Sequence, residues 1–119
     1  MAIKGKILVA DDDCGIVDAL QMVLEDAEYE VQTITDGHVL RKIGSDVPDV
    51  ILLDVFLGDI NGVTICNEFK SNPDTKHIPV ILFSAHANAE TILNACPADG
   101  FVGKPFNISR LIELIESLN

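Results

Sequence analysis

The clearest indication of the fold is the segment DVILLDVFLGDING, residues Asp49–Gly62. It opens with four consecutive apolar residues, Val50–Leu53, which end directly at a carboxylate, Asp54. A strand exposed on one face alternates apolar and polar residues, so an unbroken apolar run indicates burial on both faces. Parallel strands covered by helices on both sides have this property. The stretch therefore predicts a buried parallel strand with an acidic residue at its carboxyl end.

Four further segments are predicted to be strands of the same sheet. They are the apolar runs Ile7–Ala10, Val80–Phe83 and Phe101–Val102, and the alternating segment Tyr29–Ile34. The segments between the strands carry apolar residues at the three- and four-residue spacing of a helix that packs by one face. Five helices are predicted, of which the fourth, about Ala87–Cys96, is the least periodic. Strand and helix alternate five times, which predicts one α/β domain over residues 1–119 with an open, doubly wound sheet.

Composition and charge exclude several classes of function. With 119 residues, 48% of them hydrophobic, the chain has the size of one domain with a single core. Eight Lys and Arg against nineteen Asp and Glu give a net charge of −11, which repels phosphate backbones, so direct nucleic-acid binding is not expected. There is no signal-peptide pattern, and no apolar run approaches the roughly 20 residues of a membrane span, so we expect a cytoplasmic protein. The cysteines, Cys14, Cys66 and Cys96, form no CxxC pair, so neither a disulfide framework nor a zinc site is predicted.

Reactive side chains stand at the ends of four predicted strands. Asp11–Asp13 follow the first strand, Asp54 ends the third, Ser84 follows the fourth and Lys104 lies just beyond the fifth. In an open parallel sheet the carboxyl ends of the strands share one edge, and ligands bind in the crevice there. Residues far apart in sequence are therefore expected to meet in one pocket.

The residue types of this pocket suit phosphoryl transfer. Crowded carboxylates repel each other unless a cation neutralises them, and an all-oxygen ligand set without His or Cys favours Mg²⁺. A carboxylate can act as a nucleophile and form an aspartyl phosphate, provided that the charge on the transferring oxygens is neutralised. Mg²⁺, the Lys104 ammonium and the Ser84 hydroxyl would supply that neutralisation.

Four motifs together point to one family. KILVADDD (residues 6–13), DVILLDVFLGDING (49–62), VILFSA (80–85) and FVGKPF (101–106) resemble, in order and spacing, the four signatures of response-regulator receiver domains. Each motif alone is weak, but four in register across essentially the whole chain are specific. The resemblance implies a flavodoxin-like fold with strand order 2-1-3-4-5 and a signalling switch controlled by phosphorylation.

Carried over position by position, the resemblance implies a role for each residue of the pocket. It implies that Asp54 is the phosphoacceptor and that Mg²⁺ is bound by Asp11, Asp12, Asp54 and the backbone carbonyl of Phe56. Ser84 and Lys104 would bind the oxygens of the phosphoryl group. Ser84 and Phe101 would form the conformational switch. A bulky apolar Phe56, two positions after the phosphoacceptor, could also hinder the water that removes the phosphoryl group.

The resemblance implies partners as well. The phosphoryl donor would be a histidine kinase or a histidine phosphotransfer protein, and a downstream effector protein would read the switched surface. That surface is expected on the fourth predicted helix, the fifth strand and the fifth helix, where a homodimer could also form. The cognate kinase, the signal and the effector stay open, as does whether the receiver stands alone or belongs to a longer chain.

Three other functions fit parts of the pattern. A flavodoxin-like cofactor carrier shares the fold, but a flavin phosphate needs donors where this chain has three carboxylates. A phosphatase with an aspartyl nucleophile often has an acid or base two residues further on; here that residue is Phe56, so a slowly autodephosphorylating switch is expected rather than a turnover enzyme. A docking module that works without phosphorylation would not need every key position to be filled.

Overall fold

The structure is built around a five-stranded parallel sheet. The computed structural model describes residues 5–35, 48–57, 60–84, 97–103 and 107–118. The strands of the large sheet are β1 (Gly5–Ala10), β2 (Tyr29–Ile34), β3 (Val50–Asp54), β6 (Val80–Ser84) and β7 (Gly100–Gly103), and a separate antiparallel hairpin consists of β4 (Phe56–Leu57) and β5 (Ile60–Asn61). The large sheet has the order β2-β1-β3-β6-β7, and all neighbours are parallel. Counted within this sheet alone, the order is 2-1-3-4-5, so the expected topology is confirmed.

Burial of the strands follows the apolar pattern of the sequence. Every residue of β3 and β6 is buried, and both strands lie in the interior of the sheet. β2, which lies at an edge, has buried ends, and the residues between them alternate between exposed and partly buried. Unbroken apolar runs thus mark the strands that are covered on both faces, as predicted.

Within the described ranges, three helices cover the sheet: α1 (Cys14–Asp26), α2 (Gly62–Ser71) and α3 (Ile108–Ser117). α1 and α3 pack on one face, against strand residues such as Val9 and Leu52. α2 packs on the opposite face, against Leu8 and Leu53. Because successive strand residues point to opposite faces, each strand contributes side chains to the packing against the helices on both faces. This two-sided arrangement confirms the doubly wound α/β fold.

The second and fourth predicted helices lie outside the described residues. The second falls on the segment around Val39–Ile43, and the fourth falls on Ala87–Cys96. Of the helices that are described, none has both the length and the apolar character needed to cross a bilayer.

Side-chain caps begin all three described helices near the carboxyl edge of the sheet. The caps are Asp13 for α1, Asn61 for α2 and Asn107 for α3, each accepting a backbone N–H of the first turn at 2.8–2.9 Å. Such a cap satisfies a donor that has no partner inside the helix, and it stabilises the helix by about 1 kcal/mol. The caps thereby fix where the chain leaves the sheet edge and turns into each helix.

The hairpin β4–β5 is the element that the sequence pattern does not predict. Phe56 pairs with Asn61 and Leu57 with Ile60, and the side chains of Leu57 and Ile60 are buried. Two residues on each side are too few to establish an apolar periodicity. The hairpin places the start of α2 directly beside the end of β3.

Candidate functional site

The carboxyl edge of the sheet brings together most of the predicted site residues. Asp11 follows β1, Asp54 ends β3 and Ser84 ends β6, and these three strands are neighbours in the sheet. All three side chains are buried, with 0%, 5% and 2% of their surface exposed. Polar side chains at the carboxyl ends of three apolar strands thus lie buried at the same edge of the sheet, as the sequence pattern predicts.

Three carboxylates form a cluster at this edge. One carboxylate oxygen from each of Asp11, Asp12 and Asp54 lies within 4.8 Å of the others. Asp11 and Asp54 are buried, whereas Asp12 is exposed and opens the cluster to solvent. Like charges this close raise each other's energy, and burial removes the water that would screen them. A hard divalent cation with a preference for oxygen ligands fits this donor set, so the residues present suit Mg²⁺.

Backbone N–H groups orient the two buried carboxylates in the same way. The N–H of Asp13 donates to Oδ1 of Asp11 at 2.9 Å, and the N–H of Phe56 donates to Oδ1 of Asp54 at 3.1 Å. In both cases the donor lies two residues after the acceptor, where the chain turns away from the strand. A hydrogen bond from a fixed amide limits rotation of each carboxylate, so the cluster is held in place by the backbone.

Asp13 has a different role from its two neighbours in sequence. Its Oδ1 accepts the N–H groups of Gly15 at 2.9 Å and Ile16 at 3.3 Å, so its side chain caps α1. A run of three aspartates that looks uniform in the sequence is therefore divided by the structure into two cluster residues and one helix cap.

Ser84 and Phe101 lie on neighbouring strands. Ser84 pairs with Gly103, and Phe101, one residue after the start of β7, pairs with Leu82. The Phe101 ring is partly buried and packs against the core cluster on the α2 side of the sheet. Lys104 lies outside the described residues, directly after the strand whose last residue pairs with Ser84.

Phe56 follows the proposed phosphoacceptor by two residues and contacts it through its backbone. Its side chain is 55% exposed, although its N–H binds Asp54. An exposed aromatic ring two residues after a buried carboxylate is a feature that the sequence pattern alone did not place. Nor did the sequence show the contact between Gly62 and the end of β3, where the Gly62 N–H donates to the carbonyl of Val55 at 2.7 Å. The only sequence signal for it was the glycine that ends the Asp49–Gly62 stretch.

Known proteins are similar to this chain in sequence and in fold. The response regulator receiver domain model matches residues 7–116. Response regulator PleD of Caulobacter vibrioides is 36% identical over 118 residues, which cover 97% of this chain and 26% of PleD. The transcriptional regulatory protein KdpE of Staphylococcus aureus is 37% identical, over 97% of this chain and 51% of KdpE. The chain thus spans between about a quarter and about half of these curated relatives.

Solved structures agree with the sequence matches. The chemotaxis response regulator CheY4 of Vibrio cholerae superposes with a TM-score of 0.86 at 27% identity, and each chain is covered completely. The receiver domain of a signal transduction histidine kinase from Syntrophus aciditrophicus superposes with a TM-score of 0.87 at 28% identity, over 96% of this chain and 89% of that one. Together with the carboxylate cluster at the sheet edge, these matches confirm the family that the four motifs indicated. The chain belongs to the response regulator receiver domains, the phosphoryl-accepting switches of two-component signal transduction.

Proposed function

We propose that Asp54 is the residue of this chain that accepts the phosphoryl group. The supporting observation is its place in the cluster. Asp54 ends the central strand β3, so the carboxylates that follow β1 lie on one side of it and Ser84 of β6 lies on the other. A nucleophile flanked by a cation site and by a hydroxyl donor has charge stabilisation on two sides of the transferring group.

Asp11, Asp12 and Asp54 would hold Mg²⁺, together with the backbone carbonyl of Phe56. The cluster geometry supports the three carboxylate ligands, and the family resemblance supports the carbonyl. When bound, the ion would offset the negative charge of the cluster and of the phosphoryl oxygens. Without a cation, three neighbouring carboxylates would repel an anionic phosphodonor.

In the proposed phosphoryl transfer, Asp54 is the nucleophile, and Ser84 and Lys104 bind the phosphoryl oxygens. A carboxylate oxygen of Asp54 forms a bond to phosphorus while the bond between phosphorus and the donor's leaving group breaks, and the electron pair leaves with the donor. The product is an acyl phosphate, a mixed anhydride. The Ser84 hydroxyl donates a hydrogen bond to a phosphoryl oxygen, and the Lys104 ammonium pairs with a second one. The donor in this proposal is a phosphohistidine of a kinase or of a phosphotransfer protein.

The site is suited to hold the phosphoryl group longer than an enzyme would. Hydrolysis requires a water to be activated and to approach phosphorus opposite the Asp54 oxygen. Phe56, two residues after Asp54, has no group that transfers protons, and its ring is exposed. We therefore assign to this chain a slow autodephosphorylation rather than turnover of small phosphoesters.

Phosphorylation would be reported on the face formed by β7 and α3. A cavity of about 400 Å³ lies there, lined by the whole of β7 and by Asn107, Arg110 and Leu114 of the neighbouring segment. Phe101 contributes to this cavity and also packs on the core, so it connects the two. Movement of Ser84 toward the phosphoryl group would change the packing of the Phe101 ring and hence the shape of this face. An effector protein or a second copy of the chain would read that shape, with no direct binding to nucleic acid. A cytoplasmic location belongs to the same proposal.

The assignment is tested by incubating the protein with Mg²⁺ and acetyl phosphate and following its intact mass. We expect the addition of one phosphoryl group, sensitive to hydroxylamine, and complete loss of the addition in Asp54→Asn. Asp13→Asn is the matched control, because Asn caps a helix as well as Asp does and this variant should still be labelled. Labelling of the Asp54→Asn protein at the wild-type level would place the acceptor elsewhere.

A further inference from the structure

Gly62, the first residue of α2, lies directly against the backbone of Asp54. A Cβ atom at this position would overlap the carbonyl oxygen of Asp54 and would lie 3.0 Å from both the carbonyl carbon of Asp54 and the Cα of Val55. All three atoms belong to the main chain, so no rotation of a side chain can relieve the overlap. The φ angle of Gly62 lies outside the left-handed region, so glycine is required here for space and not for conformational freedom.

Short hydrogen bonds connect this contact to the Asp54 carboxylate. The Gly62 N–H donates to the Val55 carbonyl at 2.7 Å, which closes the base of the β4–β5 hairpin. One residue further, the Phe56 N–H donates to Oδ1 of Asp54 at 3.1 Å. The start of α2, the Asp54–Val55 peptide and the carboxylate are therefore parts of one closed unit.

We propose that Gly62 is a positioning residue for Asp54. Because Gly62 has no side chain, α2 packs directly against the Asp54–Val55 peptide, and this contact fixes the position of the Asp54 carboxylate relative to Asp11 and Asp12. This inference rests on the proposed function, since the group that is positioned is the proposed phosphoacceptor. A methyl group at Gly62 would displace either α2 or the end of β3. Displacement of a reacting group by about 1 Å can cost on the order of 10²-fold in rate.

The test compares Gly62→Ala with Gly5→Ala. At Gly5 a Cβ would also be crowded, 2.9 Å from Oδ2 of Asp49, but at the opposite end of the sheet. We expect Gly62→Ala to slow labelling by acetyl phosphate by about tenfold or more, to weaken Mg²⁺ binding and to shift the amide resonances of Asp54 and Phe56. Gly5→Ala should lose some stability and keep the wild-type labelling rate and Mg²⁺ affinity.

The outcomes separate this inference from the proposed function. A wild-type protein that takes up no phosphoryl group contradicts the proposed function, and the Mg²⁺ titration and amide shifts of Gly62→Ala still decide the role of Gly62. A folded Gly62→Ala protein with the wild-type labelling rate and Mg²⁺ affinity overturns the positioning role. If Gly62→Ala does not fold, the measurement is repeated in a Glu28→Gly background, because glycine adopts the left-handed φ of 74° at that position without the steric cost of a Cβ atom. A double variant that stays unfolded shows that Gly62 serves the fold and not the site, and this also overturns the inference.

Discussion

At the amino end of the sheet, Asp49 and Asp99 each stand one residue before a strand; at the carboxyl end, Asp11 follows a strand and Asp54 ends one. The amino-end residues extend the strand ladder. Asp99 donates its N–H to the Val80 carbonyl at 2.8 Å and accepts the Val80 N–H on Oδ2, also at 2.8 Å. Asp49 forms the same reciprocal pair with Lys6, at 2.8 and 2.7 Å.

The amino end also places an ammonium beside its carboxylate. Lys70 of α2 donates to Oδ2 of Asp99 at 2.7 Å and to the Ile78 carbonyl at 2.8 Å, and only 12% of its side chain is exposed. At the carboxyl end, by contrast, Asp11 and Asp54 have each other and Asp12 as near neighbours. The same side chain thus stabilises the fold where donors surround it. Where other carboxylates lie close to it, the like charges repel each other, and a bound cation reduces that repulsion.

Among the variants that keep Asp54, the largest effect is expected at the carboxyl end, from Ser84→Ala. Loss of one hydrogen bond to the transferring oxygens should slow labelling by about 10- to 100-fold, while some phosphorylation persists. In the phosphorylated variant, the amide shifts across β7 and α3 should be smaller than in the wild type. These are read by NMR after labelling has reached completion, with the far end of α1 as the internal reference. A fully phosphorylated wild-type protein whose β7 and α3 resonances do not move would refute the switch through Ser84 and Phe101.

At the amino end, Asp99→Ala should lower stability and leave phosphorylation intact. The substitution leaves the N–H of the fully buried Val80 without its side-chain acceptor and removes the carboxylate that pairs with Lys70. We therefore expect the free energy of unfolding, measured with urea, to fall by about 1–3 kcal/mol. Asp99→Asn retains an oxygen for both donors and should lose less. A labelling rate that falls with Asp99→Ala at full folding would show that the two ends are not independent.

A smaller change of opposite sign is expected from Glu28→Gly in the connection between α1 and β2. Glu28 has a φ of 74°, which L-residues adopt at a cost, so glycine should stabilise the protein by about 1 kcal/mol or less. Glu25→Gly, inside α1, makes the same chemical change at a helical position and should destabilise it by about 1 kcal/mol. Thermal unfolding of both variants checks the pair, and equal signs would contradict the role given to the φ angle.

The sequence predicted the parts of this molecule that depend on pattern. Unbroken apolar runs predicted β3 and β6. The positions of Asp11, Asp54 and Ser84 at the ends of apolar runs predicted that these residues lie at one edge of the sheet. Pattern did not reveal which aspartate of the Asp11–Asp13 run caps α1, because that depends on the direction in which the backbone leaves β1.

The sequence pattern also did not predict contacts between distant segments. The pairing of Asp99 with Val80 and Lys70, and the contact of Gly62 with the Asp54 peptide, join segments whose separation in space no periodicity encodes. The role of Lys104 and the second and fourth helices stay predictions, since they fall outside the described residues.

Without a bound metal, Asp12 at the carboxyl end of the sheet is expected to lower the stability of the protein, and Asp99 at the amino end is expected to raise it. Melting temperatures of Asp12→Asn and Asp99→Asn are compared with the wild type, with and without Mg²⁺. We expect Asp12→Asn to raise the metal-free melting temperature by a few degrees and to lose much of the stabilisation by Mg²⁺, because a like charge and a ligand are both removed. Asp99→Asn should lower the melting temperature and keep the full Mg²⁺ response. Shifts of the same sign in both variants, or a full Mg²⁺ response in Asp12→Asn, would show that the two ends do not differ in this way.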